Sequence, residues 1–108
     1  MPESARLSFG FDYSVKAVAM TVWVDDEIVL EKTLYGRVAR KILGKEYHEG
    51  SLQEVFDLKP GVHEVKVRVA WEDNAKVETT QGTFKEGATR RLEASLGGLR
   101  KNLSLEWK

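Results

Sequence analysis

The stretch Phe56-Asp57-Leu58-Lys59-Pro60-Gly61-Val62-His63-Glu64-Val65-Lys66-Val67-Arg68-Val69-Ala70-Trp71 decides the fold class. Val65, Val67, Val69 and Trp71 are apolar, and Glu64, Lys66 and Arg68 fill most of the places between them. Successive side chains of a strand point to opposite faces, so this is one strand with a core face and a wet face. Lys59-Pro60-Gly61 supplies the reversal that precedes it, because proline presets φ and glycine tolerates positive φ. The expectation is that the preceding run, Leu52 to Leu58, is a strand paired through Pro60-Gly61 with the Val62–Trp71 strand.

The same alternation recurs on both sides. Ala5, Leu7, Phe9 and Phe11 alternate with Arg6, Ser8 and Gly10. Val18, Met20, Val22 and Val24 share one face of a second strand, whose other face carries Ala17, Ala19, Thr21 and Trp23. That two-sided apolarity predicts a central or doubly covered strand. Asp25-Asp26-Glu27 turns the chain into Ile28-Val29-Leu30, which continues to Leu34-Tyr35. Downstream, a polar strand from Lys76 to Phe84 reads as an edge through Thr79, Gln81 and Thr83. Leu92, Ala94 and Leu96 face inward from the next strand. Gly97-Gly98 marks a hairpin, and Leu103, Leu105 and Trp107 follow in a last strand. Short strands at this spacing mean a sandwich or small barrel. The expected fold is all-β: an antiparallel immunoglobulin-like β-sandwich of about seven to eight strands. It forms a single domain over 1–108, with a long irregular or inserted connection at 36–50.

Composition narrows the chemistry. The 108 residues have no cysteine, which excludes disulfides, thiolate nucleophiles and thiolate metal sites. Seventeen basic and seventeen acidic residues cancel, so no overall field draws the domain to nucleic acid or to an anionic membrane. The apolar runs are far shorter than a membrane span. Neither nucleic-acid binding nor membrane insertion is expected.

Three segments resemble the PEGA-type domains of bacterial envelope and multidomain proteins. They are Thr21-Val22-Trp23-Val24-Asp25-Asp26-Glu27, then Phe56 to Val65, then Phe84-Lys85-Glu86-Gly87-Ala88-Thr89-Arg90-Arg91-Leu92. The family pattern is a strand ending in Val-Asp-Gly, an L-x-P-G-x-H-x-V element and a late glycine before an alternating strand. The likeness spans Thr21 to Leu96. Asp26 stands in place of the family glycine, the family's Thr-Pro step is missing, and 36–50 looks inserted. The resemblance implies a non-catalytic accessory module, often extracytoplasmic, and it carries no functional residues to transfer.

The residues that can bear chemistry each have an ordinary reading beside the functional one. His63 lies at the turn end of its strand, where a hydrogen bond to the turn is its expected role. His48 lies beside Glu46 and Glu49 without the spacing of a zinc site. Asp25, Asp26 and Glu27 offer hard oxygen atoms, yet acidic residues are common in turns, where they cap backbone N–H groups. Asp57, Glu72 and Asp73 read the same way. With no phosphate loop and no G-x-S-x-G element, no catalytic residue and no cofactor is expected.

Residues 37–45 break the pattern. Arg37, Arg40, Lys41 and Lys45 crowd a long connection in a domain otherwise joined by tight turns. Such connections are where a rigid scaffold places binding. Val38 and Ile42 can share one face of a helical turn, or the run can be an extra edge strand guarded by its cations. These four residues are the candidate contact with another protein or a neighbouring domain. The alternative is a carbohydrate-binding module whose platform is a pair of exposed aromatics, Trp23 and Tyr35, with Trp71 expected in the core.

Overall fold

A computed structural model describes residues 4–72, 74–97 and 102–108. The chain is a two-sheet β-sandwich without helix among those residues. Its strands are β1 (Ala5–Tyr13), β2 (Ala17–Val24), β3 (Glu27–Tyr35), β4 (Arg37–Ile42), β5 (Lys45–Leu58), β6 (Gly61–Trp71), β7 (Asn74–Phe84), β8 (Thr89–Gly97) and β9 (Asn102–Trp107). One sheet has the order β4-β5-β1-β8-β9 and the other β3-β2-β6-β7. All neighbours run antiparallel except β1 and β8, which run parallel with Arg6 opposite Thr89 and Tyr13 opposite Leu96.

The alternating residues face inward as their periodicity requires. Leu7, Phe9 and Phe11 of β1 meet Met20 and Val22 of β2, Val65, Val67 and Val69 of β6, and Leu92 and Leu96 of β8 in one buried cluster. Trp71 belongs to it too. β2 is central in its sheet and β7 is an edge, both as their side-chain patterns predict.

The Pro60-Gly61 turn does something other than close a hairpin. β5 pairs with β1, Ala5 opposite Leu58 and Phe11 opposite Leu52, whereas β6 pairs with β2 and β7. Lys59-Pro60 therefore carries the chain from one sheet to the other. Two strands that face each other across a core carry the same alternation as two strands side by side. Only partners distant in sequence decide between these arrangements. The remaining connections obey one rhythm. β2–β3, β4–β5, β6–β7 and β8–β9 are paired neighbours, and β1–β2, β3–β4, β5–β6 and β7–β8 change sheet.

Residues 36–50, expected to be irregular, form most of a hairpin that adds two strands' worth of pairing. Arg37 opposes Glu49, Val38 opposes His48 and Ile42 opposes Lys45, with a register shift between Val38 and Arg40. Leu43 (φ 53°) and Gly44 (φ 79°) occupy the turn, and two successive positive φ values are what a two-residue hairpin loop with matching twist requires. Of the helical and edge-strand readings, the edge strand is the one that forms. β1 pairs only with residues 50–58 of β5, so the part of β5 paired with β4 runs on past the end of the sandwich. This two-stranded ribbon contributes to a long molecule of 57 × 22 × 20 Å.

The two lateral sides differ. On one, Trp107 of β9 lies across Gly82 of β7, and a Cβ on Gly82 would sit 2.7 Å from the indole. The indole packs edge-on against Phe84 at 5.8 Å, donates to Thr80 Oγ1 at 3.0 Å, and is covered by the Arg90 guanidinium at 4.7 Å. On the other side β3 and β5 touch sparsely, and Val29, Leu30, Leu52, Phe56 and Leu58 are only partly buried.

Candidate functional site

The ribbon and the cleft at its base are the two features that depart from a plain sandwich. Leu43, at the ribbon tip, is fully exposed (102%), and Val38 is half exposed (49%). Left-handed backbone costs a non-glycine residue roughly 1–2 kcal/mol, so Leu43 holds an apolar side chain in water on a strained turn. Arg37 and Lys41 are exposed along β4, and in the backbone register they oppose Glu49 and Glu46. The side chains of Arg40 and Lys45, the other two cations of the predicted contact, lie outside the described residues. The four cations thus share one ribbon, with a glutamate across from at least two of them.

At the ribbon base is a cleft of about 960 Å³ lined by Asp12, Tyr13, Ser14, Tyr35, Arg37, Glu49, Gly50, Ser51, Ser95, Leu96, Gly97, Asn102 and Ser104. Strand register assembles it. Ser51 of β5 and Ser95 of β8 flank Asp12 of β1, and Ser104 of β9 lies beyond Ser95. These four residues form one polar row on the outward face of the five-stranded sheet. The Ser95 and Ser104 hydroxyls are hydrogen-bonded at 2.7 Å. Tyr13 is fixed from three sides: its ring stacks on Phe11 at 5.4 Å, lies over Gly50, and its hydroxyl donates to the Tyr35 carbonyl at 3.0 Å. A Cβ on Gly50 would fall 2.4 Å from the Tyr13 ring, so this position has to be glycine. Nothing in the sequence marks the row as a site. Serines and an aspartate at alternate positions are ordinary outward residues, and only the register brings them together.

The paired-aromatic platform does not form. Trp23 is opposite Ile28, whereas Tyr35 is opposite Ala17, six positions away along β2, a separation of ~20 Å at ~3.3 Å per residue. Trp23 is half-buried under the Lys66 ammonium at 4.8 Å from its ring, whereas Tyr35 is 75% exposed. Only Tyr35 reaches the cleft.

His63 takes the turn role its position predicts. Nδ1 meets Asp25 Oδ2 and Nε2 meets the Lys59 carbonyl, each at 2.5 Å. Asp25 Oδ1 also accepts the Glu64 N–H at 2.9 Å, and the Asp25 N–H donates to the Glu64 carbonyl at 3.0 Å. Asp25 (φ 51°) and Asp26 (φ 68°) make the β2–β3 turn, so these bonds tie that turn to the sheet-crossing segment before β6. Lys59 O can only accept, which favours the imidazolium and holds the His63 pKa above its ordinary value, with Asp25 adding to the effect against the opposing desolvation. The Glu64 N–H, then His63, hold the Asp25 carboxyl below its ordinary value. His48 has its own contacts within the fold. Among the described residues no three His, Asp or Glu side chains are grouped to hold a metal ion; Asp73 lies outside those residues. Comparison with known proteins finds no matching family model, no matching curated protein and no matching solved structure.

Proposed function

We propose that the chain is a non-catalytic β-sandwich module that holds a partner protein, or a neighbouring domain, through the β4–β5 ribbon. The observation that carries this is Leu43: a fully exposed leucine, in a backbone conformation unfavourable to it, at the tip of a ribbon extending past the core. Strain and exposed apolar surface together at one residue are what a contact element retains and a spacer has no use for. Val38, Arg37 and Lys41 give the ribbon a mixed apolar and cationic surface suited to an interface with an acidic rim. The PEGA-like pattern supports the same reading, since it implies an accessory module. His63, the side chain best suited to acid–base work, has both ring nitrogens engaged in structure.

The test is site-specific photo-crosslinking in the cells that make the protein, with the probe at residue 43 and, as controls, at the exposed sheet positions 55 and 77. One discrete adduct from position 43, absent from the controls and lost when Arg37 and Lys41 are both changed to Glu, is the expected result. An adduct pattern that is the same at all three positions rules the ribbon out.

A further inference from the structure

The cleft at the ribbon base has the composition of a ligand site. Its volume, about 960 Å³, is at the upper end of the ~300–1,000 Å³ usual for small-molecule sites, and polar and apolar surface share its lining about equally. Asp12 and Glu49 only accept hydrogen bonds, Arg37 only donates, and Ser51 and Asn102 do both. Asp12, Ser51 and Asn102 make no side-chain hydrogen bond or ion pair among the described residues, so their capacity faces the cleft unspent. Tyr35, 75% exposed, also lines the cleft.

We propose that this cleft binds a neutral oligosaccharide, with Tyr35 as the stacking face and Asp12, Ser51, Asn102 and Arg37 as partners for its hydroxyl groups. Sugar hydroxyls both donate and accept, so they match a lining that mixes acceptors, donors and groups that do both. Arg37 and Glu49 oppose each other across the ribbon, which leaves Asp12 as the uncompensated charge and disfavours an anionic ligand. The row Ser51–Asp12–Ser95–Ser104 crosses three strand spacings, ~14 Å, giving an extended polar track suited to several sugar units. The supporting layer is rigid: Tyr13 is locked by its stack on Phe11 and its bond to the Tyr35 carbonyl, and Ser95 by Ser104. This site is separate from the ribbon tip and does not depend on it.

The experiment is titration of the ¹⁵N-labelled protein with cellohexaose, xylohexaose, maltohexaose and chitohexaose, beside a hexagalacturonate arm. At least one neutral hexasaccharide is expected to give saturable shifts at Tyr35, Ser51, Ser95 and Asn102. Tyr35→Ala and Asp12→Ala should each weaken it about tenfold, the equivalent of ~1.4 kcal/mol for one stacking or charge-assisted contact. Tyr35→Ala should keep its melting temperature, because Tyr13 bonds to the Tyr35 backbone and not its ring. Leu43→Asp should bind the sugar unchanged, which separates this site from the ribbon contact. Failure of all four neutral sugars to saturate, shifts mapping elsewhere, preference for hexagalacturonate, or full binding by Tyr35→Ala each overturns the proposal.

Discussion

Raising the pH should loosen the bond between the β2–β3 turn and the segment entering β6, and His63 makes the effect calculable. Both ring nitrogens face acceptors, the Asp25 carboxylate and the Lys59 carbonyl, so the doubly protonated ring satisfies both and the neutral ring only one. The folded-state pKa of His63 is raised, so its contribution is complete below the ordinary value of 6.5 and is lost as pH climbs through the higher folded value. Asp25 is shifted the other way, so its contribution is present above 3.8 and is lost as pH falls through its lowered folded value. The pair therefore stabilises most strongly between those limits. Losing one charge-assisted bond of a well-covered ring (13% exposed) to a half-exposed carboxylate (50%) should cost about 1–2 kcal/mol after solvent screening. For a domain of this size that is a fall in Tm of ~5–10 °C. The assay is thermal unfolding of the wild type and His63→Gln from pH ~5 to ~9. His63→Gln should start lower at acid pH and lack the wild-type fall as pH rises past 6.5. Superimposable pH slopes, or a ¹⁵N spectrum with a single protonated ring nitrogen on His63 below pH 6.5, would refute the reasoning.

The closed lateral side offers a second test. Trp107→Ala should cost about 3 kcal/mol, the lower part of the range for truncating a large aromatic because the ring is only partly buried. Gly82→Ala should cost about 1–3 kcal/mol by driving a methyl group into the indole. The double variant should cost clearly less than the sum in chemical denaturation, and strict additivity would deny the contact. At the ribbon tip, Leu43→Asn should raise stability by about 0.5–1 kcal/mol, because asparagine tolerates left-handed backbone. Unchanged or lower stability on urea denaturation would remove strain from the account of that turn.

The parts of the fold legible in the sequence are those that rest on local alternation. Val65, Val67 and Val69 declare which way they face because a strand half in water has to alternate. Asp25-Asp26 and Pro60-Gly61 declare reversals through their backbone preferences. Alternation is silent on neighbours: the pattern of Leu52–Leu58 fits a place beside β6 as well as its actual place beside β1. It is silent again where no face is buried, as along the ribbon, where Arg37, Val38, Lys41, Leu43 and Glu49 are all exposed among the described side chains. The cleft was hidden for a related reason. Asp12, Ser51, Ser95 and Ser104 meet only through three strand pairings, one of them parallel and spanning most of the chain. Arg37 and Tyr35 stand out in the sequence by charge and by aromatic character, but not as two residues that line one cleft.

The seat of β1 between β5 and β8 has a consequence for how the chain is made. Leu7, Phe9 and Phe11 are synthesised early, yet the strand that covers one edge of β1 is complete only at Gly97. The roughly 84 residues separating Tyr13 from Gly97 take about 4–17 s to synthesise at ~5–20 residues/s. The hairpins β2–β3 and β6–β7 are local and can form during that interval, whereas β1 has to remain extended and unpaired on at least one side. Among the described strands, the one with the most buried residues is thus the one left longest without its full set of partners. Its outward residues Arg6, Ser8 and Asp12 carry the burden of keeping nascent chains apart.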